Sequence, residues 1–133
     1  MTLVEVVFSF GIAAVAVAGI VGGYIFSTSC AKQWALSLAA NAKAMERIEE
    51  TRSAQWTIQP PVDQLVATNF PDQIVALDRS DSGDVTVYAT NVTQISQISI
   101  DPPLRRIRVD CIWSFKGTMV LTNTIETCRA VKQ

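Results

Sequence analysis

The first 31 residues carry a single charged side chain, Glu5, and this constrains the chain more than any other feature. Residues 6–26 are almost entirely apolar. As an α-helix rising about 1.5 Å per residue, this run matches the roughly 30 Å hydrocarbon core of a bilayer. We therefore expect a membrane-spanning helix at the N-terminus, followed by a part of the chain that folds in water.

The flank of this apolar run differs from that of a signal sequence. Secretory signal peptides begin with Lys or Arg, and ordinary signal anchors carry a basic cytoplasmic flank. No Lys or Arg precedes Lys32. We expect that a basic leader once preceded Met1 and was removed, so that Met1 is either an initiator or a processed first residue.

Glu5 places a carboxylate at the start of a segment expected in lipid. A charge there costs several kcal/mol by most estimates, which makes the residue a functional candidate that needs a partner. Alternatively, the residue lies at the membrane interface, where its carboxylate stays hydrated. The sequence leaves both interpretations open.

The segment Met1-Thr2-Leu3-Val4-Glu5-Val6, followed by an apolar helix, resembles the N-terminus of mature type IV pilins and type II secretion pseudopilins. The resemblance implies a prepilin cut by a prepilin peptidase before Met1, whose new amine is then methylated. It implies that Glu5 is the assembly glutamate. It also implies an inner-membrane location and assembly platform, then an extracellular pilus or a periplasm-spanning pseudopilus.

Two features depart from the family pattern. Many members have Phe at the first position and Pro near residue 22, whereas this chain has Met1 and no Pro in the apolar segment. Gly19, Gly22 and Gly23 lie where the family's helix often loses hydrogen bonds in the filament. Because Gly costs about 1 kcal/mol relative to Ala in a helix, these residues are a candidate soft point. Close helix packing through small residues is the alternative.

The apolar helix is expected to continue, because no Pro or Gly interrupts residues 24–59. Apolar residues recur at spacings of three and four and should share the face that packs on the rest of the fold: Trp34, Leu38, Ala42, Met45 and Ile48. We predict an α+β, pilin-like fold with a helix over about residues 2–53 packed on a C-terminal antiparallel sheet of about four strands. The expected domains are 1–30 and 31–133, the latter divided into helix (31–54), connecting loop (55–83) and sheet (84–133).

Alternation of apolar and polar residues predicts the strands of this sheet. In the third strand, odd-numbered residues from Ile107 to Phe115 are apolar and alternate with Arg106, Arg108 and Asp110, which is typical of a sheet with one buried face. That face should lie on the helix stripe. The predicted strands are Asp84–Thr90, Thr93–Ile100, Arg105–Phe115 and Met119–Cys128, with a turn at Lys116-Gly117.

The composition argues against catalysis and against nucleic-acid binding. The chain has no His and a net charge of −1, so His-dependent nucleophile schemes and most zinc sites are excluded and phosphate-binding basic stripes are not expected. We expect no enzyme activity, cofactor or metal. A stacking platform of Trp34, Trp56 and Trp113 with the cluster Arg105, Arg106 and Arg108 is the weaker reading that would make this a DNA receptor.

Two further motifs are weak. The acidic residues Asp78, Asp81 and Asp84 around Gly83 do not have EF-hand spacing, so we expect a solvated turn rather than a Ca²⁺ site. Asn91-Val92-Thr93 matches the N-glycosylation pattern, and we expect it to be unmodified.

Three cysteines, Cys30, Cys111 and Cys128, predict one disulfide and one free thiol in an oxidising compartment. The family resemblance favours Cys111–Cys128. The predicted hairpin argues against that pair, because it places Cys111 opposite about residue 122 and Cys128 opposite about residue 105, roughly 20 Å apart. Cys30–Cys111 and Cys30–Cys128 stay open.

These features together predict a structural subunit that polymerises with itself through its N-terminal helix into a type IV pilus-like filament. Two alternatives remain: a minor pilin or type II secretion pseudopilin that primes a filament, and a membrane-anchored binding domain or competence-type DNA-binding pilin. The adhesive or secretory task of the filament is not encoded in any motif of the sequence.

Overall fold

The computed structural model describes residues 2–79 and 85–132. Its longest element is the helix α1, Leu3–Ser53, which confirms the expected helix over about residues 2–53. The chain divides into two compact units, Met1–Ala35 and Leu36–Gln133. The helix contributes to both units.

The second unit adds two antiparallel sheets to the end of the helix. The smaller one pairs β1 (Trp56–Thr57) with β2 (Val62–Asp63), and a short 3₁₀ helix follows at Ala67–Asn69. The larger one has four strands in the order β3-β4-β5-β6, which confirms the α+β class. Its strands are β3 (Gln73–Arg79), β4 (Val85–Ile100), β5 (Pro103–Phe115) and β6 (Met119–Ala130).

The set of strands in this sheet differs from the predicted set in two ways. Strand β3 lies inside the segment 55–83, which was predicted to be a connecting loop. The prediction missed this strand because its apolar residues are consecutive and show no alternation with polar ones. The two strands predicted on either side of Asn91 form one strand, β4. Asn91 does not break it because its side chain is buried and its Nδ2 donates to the Lys43 carbonyl at 3.2 Å. The glycosylation motif is therefore inside the core.

The β5–β6 hairpin turns where the sequence predicts it. Lys116 and Gly117 both have positive φ, 53° and 70°, and the Thr118 N–H donates to the Phe115 carbonyl at 3.3 Å. Positive φ at two successive positions is the backbone conformation that type I′ turns require, and the register leaves Lys116, Gly117 and Thr118 between the paired residues Phe115 and Met119. Glycine relieves the steric cost at the second position.

The inner face of β5 is buried as its alternation predicts. Ile107, Val109, Cys111, Trp113 and Phe115 form the centre of the core. The helix face that covers them is not the predicted one, because Trp34, Leu38 and Met45 are 76%, 72% and 53% exposed. Of the predicted stripe only Ile48 is buried; the apolar residues that face the sheet are Leu36, Ala40, Ala44 and Ile48.

The size of the side chains explains this choice of helix face. The sheet supplies the bulk of the core through β5, including an edge-to-face contact between Trp113 and Phe115 with ring centroids 6.5 Å apart. Space opposite large side chains is best filled by small ones. The helix accordingly contributes two fully buried alanines, Ala40 and Ala44, to this core.

Asn123 of β6 fixes the position of the helix on the sheet. It accepts a hydrogen bond from Trp113 Nε1 at 2.8 Å and donates through Nδ2 to Ser37 Oγ at 2.9 Å and Asn41 Oδ1 at 3.1 Å. Polar groups at a packed interface must be paired, so a shifted helix would leave them unsatisfied.

Arg47 joins the helix to the sheet and to the connecting segment. Its guanidinium donates to Glu50 at 2.5 Å, to the Pro71 carbonyl at 2.6 Å and through Nε to Thr93 Oγ1 at 3.2 Å. The same group lies 5.4 Å from the centroid of the Phe70 ring. A buried guanidinium is tolerated because it is paired on several sides.

Arg105 holds the first part of the connecting segment in the same manner. It makes a bidentate pair with Asp63 at 2.6 and 2.7 Å, donates to the Leu65 carbonyl at 2.6 Å and lies 4.6 Å from the Trp56 ring centroid. The hydrogen bond from Arg105 lowers the pKa of Asp63, and Asp63 in turn raises the pKa of Arg105.

Arg129 caps the C-terminus of α1. It donates to the carbonyls of Thr51 at 2.9 Å and Ala54 at 2.7 Å. The last carbonyls of a helix lack partners within the helix, and a cation there also complements the helix dipole. The helix end is thereby tied to the last strand.

Ala44→Leu should destabilise the fold by about 1–3 kcal/mol, because extra methylenes at a fully buried position overpack the helix–sheet contact. Ala42→Leu makes the same change at an exposed helix position and should stay within about 0.5 kcal/mol of the wild type. Urea unfolding of the full chain in detergent, followed by Trp fluorescence, measures both. Equal effects of the two substitutions would contradict the assigned helix face.

The Asp63–Arg105 pair should make stability depend on acid pH. Because the pKa of Asp63 is lower in the folded than in the unfolded chain, the pair stabilises the fold above the unfolded value and is lost as the pH falls through the folded one. Asp63→Asn should therefore flatten the fall of the urea midpoint below about pH 4. Asp101→Asn, at a carboxylate that makes no ion pair among the described residues, is the control and should keep the wild-type slope.

Candidate assembly site

The N-terminal half of α1 offers an apolar surface that the chain itself does not cover. Every residue from 2 to 28 is exposed. By length and composition the helix can cross a membrane, and none of its most apolar window is buried. Large side chains cover this surface, among them Phe8, Phe10, Ile12, Val15, Ile20, Tyr24 and Phe26.

Glu5 lies in the first turn of this helix and reaches back to its start. Its Oε2 accepts hydrogen bonds from the Thr2 backbone N–H at 3.0 Å and from Thr2 Oγ1 at 3.4 Å. Since α1 begins at Leu3, Thr2 is the N-cap and Glu5 is at the third helical position. The return of a glutamate to the N-cap N–H is half of a capping box. Met1, the expected partner, lies outside the described residues.

The sequence contained the signal for this cap. A Thr followed three residues later by Glu, just before an apolar run, is the sequence signature of a capping box. Glu5 was singled out for its charge, and the role of Thr2 as its partner was missed. The geometry gives Glu5 a local task in addition to the expected one.

Two hydroxyl groups in and just after the apolar segment bond to carbonyls of the helix itself. Ser9 Oγ donates to the Glu5 carbonyl at 2.8 Å, and Thr28 Oγ1 donates to the Ile25 carbonyl at 3.0 Å. Such bonds remove most of the cost of placing a hydroxyl in lipid.

The candidate soft point is helical in the structure. Gly19, Gly22 and Gly23 lie within the unbroken helix, and open space surrounds the position where a Cβ would stand at each. Loss of hydrogen bonds there in an assembled state stays a prediction. A fourth glycine, Gly11, leaves a notch on the helix surface bordered by Val7, Phe8, Ile12 and Val15.

The three cysteines are free thiols, and two of them cannot pair with each other. The β5–β6 register places Cys111 opposite Asn123 and Cys128 opposite Arg106, one residue from the predicted register. The thiols are thus five positions apart, about 17 Å along the strands. They also lie on opposite faces, since Cys111 is buried and Cys128 is exposed. A Cys111–Cys128 disulfide, the pair favoured by the resemblance, does not fit this sheet.

Two of the three guanidinium groups of the arginine cluster are paired with carboxylates within the chain, and Arg106 is exposed. Arg105 pairs with Asp63, while Arg108 pairs with Asp110 at 3.0 Å and approaches Glu126 at 3.8 Å. Trp56 lies under Arg105, and Trp113 is in the core. The Trp residues therefore form no shared stacking platform.

Acidic side chains form no metal site in the part of the chain that the structure describes. Asp78 lies in β3, where its register partner is Val87, and its side chain has an interaction partner. Asp81, Gly83 and Asp84 lie outside the described residues.

Comparison with protein-family models, with curated protein sequences and with solved structures found no match.

Cys128 and Cys111 should differ sharply in reactivity. Burial raises the pKa of the Cys111 thiol to about 11, and the thiolate is the form that attacks alkylating reagents. At about pH 8 a maleimide should label Cys128 within minutes and Cys111 only after unfolding. Peptide mapping under non-reducing conditions reads both sites at once. Labelling of native Cys111 at the rate of Cys128, or a crosslink between them, would contradict the assigned register.

Proposed function

We propose that this chain is a structural subunit that polymerises through its N-terminal helix into a type IV pilus-like filament. The observation that carries the proposal is a 51-residue helix whose first half is exposed and apolar while its last third is packed on an antiparallel sheet. A soluble domain has no use for such a surface, which must be covered by lipid or by protein.

Assembly into a helical bundle follows from where the apolar surface can go. In lipid the surface is solvated by acyl chains, whereas a helix withdrawn from the membrane must rebury it at about 25 cal/mol per Å². Copies of the same helix supply an apolar surface of equal length. The notch at Gly11 fits this proposal, because small residues let neighbouring helices approach closely.

Glu5 is proposed to fix the axial position of one copy on the next. In the described part of the chain, no Lys or Arg pairs with its carboxylate. The positive amine at Met1 of a neighbouring copy is the partner that the sequence offers, since no basic side chain precedes Lys32. Pairing would neutralise two charges that are each costly in a bundle of apolar helices.

The remaining partners and the location come with this proposal. A prepilin peptidase would expose the amine of Met1, and an inner-membrane platform would extract the subunit. The chain would reside in the inner membrane before assembly and in an extracellular or periplasm-spanning filament afterwards. A minor subunit or a pseudopilin would use the same helix and the same glutamate.

Two substitutions at Glu5 separate its charge from its role as a cap. Glu5→Ala removes both, whereas Glu5→Gln keeps an oxygen for the Thr2 N–H and removes only the charge. If the charge pairs across copies, both variants should lower fibre yield about tenfold or more, because breaking a buried pair costs about 3–5 kcal/mol. Val6→Leu, a neighbouring apolar change, should leave the yield unchanged.

Electron microscopy of cell-surface fibres, with mass-spectrometric identification of their subunit, measures the yield against equal amounts of membrane-inserted protein. Wild-type yield from Glu5→Gln with a loss in Glu5→Ala would reduce Glu5 to a helix cap. Wild-type chain that stays in the membrane and forms no fibres would indicate a plain anchor, and fibres that contain it only at one end would indicate a minor subunit.

A further inference from the structure

In the described part of the chain, both edges of the four-stranded sheet keep unpaired backbone over most of their length, although Lys132, just after β6, bridges to Thr57 of β1. Among the described residues, β3 pairs only with β4, and β6 pairs only with β5 along Met119–Ala130. Natural proteins guard such edges with charges, prolines, bulges or short strands. The irregular register of β3 is confined to Ala76–Arg79, so Gln73–Ala76 keeps a regular edge. Residues 119–125 of β6 contain no charge, Pro or Gly, so this edge is open to another strand.

An exposed apolar stripe lies beside this open edge. Leu38, Asn41 and Met45 share one side of α1 because they are three and four residues apart. Asn41 accepts a hydrogen bond from Asn123 of β6, which places this side of the helix on the β6 flank. Leu38 and Met45 are exposed there. The strand edge and the stripe therefore belong to one surface, which we call the β6 flank.

We propose that the β6 flank binds a second copy of this chain, with β6 of one copy pairing antiparallel to β3 of the next. The proposal rests on the proposed function, in which copies stand side by side in one orientation. Four antiparallel strands in sequential order make β3 and β6 run in opposite directions. Copies in the same orientation therefore present antiparallel edges to each other, and the sheet can continue from copy to copy.

A symmetric pairing of β6 with β6 is disfavoured by the same geometry. Antiparallel pairing of two identical strands requires a two-fold axis perpendicular to the sheet. That axis would reverse the direction of the helix segment Leu36–Ser53 in one copy relative to the other. Helices that enter one membrane, or one filament, from the same side cannot be reversed in this way. The head-to-tail contact satisfies the constraint and does not close on itself.

The strand register aligns exposed apolar residues on the outer face of β3 with the outer face of β6. The register aligns Ile74 of β3 with Thr90, Thr90 with Ile112, and Ile112 with Thr122 of β6. Ile74 and Val120 are both strongly exposed on this outer face. A neighbouring β3 that continues the same row would set its Ile74 beside Thr122 and Val120, where cross-strand apolar contact adds to the backbone bonds.

The size of the contact requires the helix stripe as well as the strand. The regular part of β3, Gln73–Ala76, spans about 14 Å, and a sheet edge about 10 Å wide then presents about 140 Å² on each partner. Stable interfaces bury about 1,200–2,000 Å² in total. The strand edges therefore supply less than half of such an area, and the rest falls to the exposed surface of the helix, which includes Leu38 and Met45.

Thiol crosslinking of the full chain in membranes tests the pairing. The starting variant carries Cys30→Ser and Cys128→Ser and keeps the buried Cys111. Ile74→Cys and Thr122→Cys are then introduced into separate chains. In a second pair Val120→Cys replaces Thr122→Cys, to allow for a shift of register. After treatment with a short bifunctional thiol reagent, mixed chains should yield a dimer and either chain alone should not. Both substitutions in one chain should yield a ladder of dimers, trimers and longer products. Ser96→Cys, an exposed position on the interior strand β4, is the control with Ile74→Cys and should give no dimer.

Leu38→Arg in the crosslinking pair should lower the dimer yield about tenfold, the equivalent of about 1.4 kcal/mol. Fibres without the Ile74–Thr122 or Ile74–Val120 product would overturn this inference and leave the proposed function standing. The crosslinked ladder without fibres would support the edge contact and count against the proposed function. A dimer from Thr122→Cys alone would show symmetric β6 pairing and overturn the head-to-tail contact.

Discussion

The small side chains on the buried face of α1 are the constraint on which the rest of the second unit depends. Ala40 and Ala44 are fully buried in one cluster with the large side chains of β5. Because these alanines add little side-chain volume to the core, the sheet must supply most of it. Strand β5 carries the large residues on one face: Ile107, Val109, Trp113 and Phe115. Asn123 then ties the helix to β6 through its hydrogen bonds with Ser37 and Asn41.

Because β5 supplies most of the side-chain volume of the core, the large apolar residues of the helix are available for other contacts. Leu38 and Met45 are not needed to fill the core, and they remain on the surface beside an unguarded strand. A chain that only had to fold would gain by placing polar residues there. Their presence is better explained by contact with another protein surface, and a second copy is the partner that the strand directions fit.

Much of the fold could be predicted from the sequence because its signals are local. The apolar run, the absence of Pro or Gly over residues 24–59, the alternation in β5 and the Lys116-Gly117 turn each specify one element without reference to the others. The helix face could not be predicted, since it depends on what the sheet provides: with Trp113 and Phe115 opposite, alanines pack better than Leu38 or Met45. Strand β3 was missed because the short run from Ile74 to Leu77 has no period. At the candidate site the sequence identified Glu5 correctly as unusual, but the part of Thr2 becomes clear only from the geometry.

The cap at Glu5 and the proposed pairing between copies do not compete for the same atom. Both hydrogen bonds from Thr2 go to Oε2, and no described residue donates to Oε1. A carboxylate offers about four lone-pair sites over its two oxygens, so Oε1 can accept from an amine while Oε2 keeps the cap. The cap also holds the side chain at the helix N-terminus, where the orientation costs less entropy than in a freely rotating glutamate. A subunit waiting in the membrane would then carry its carboxylate already oriented, and assembly would add a charge partner without first breaking a hydrogen bond.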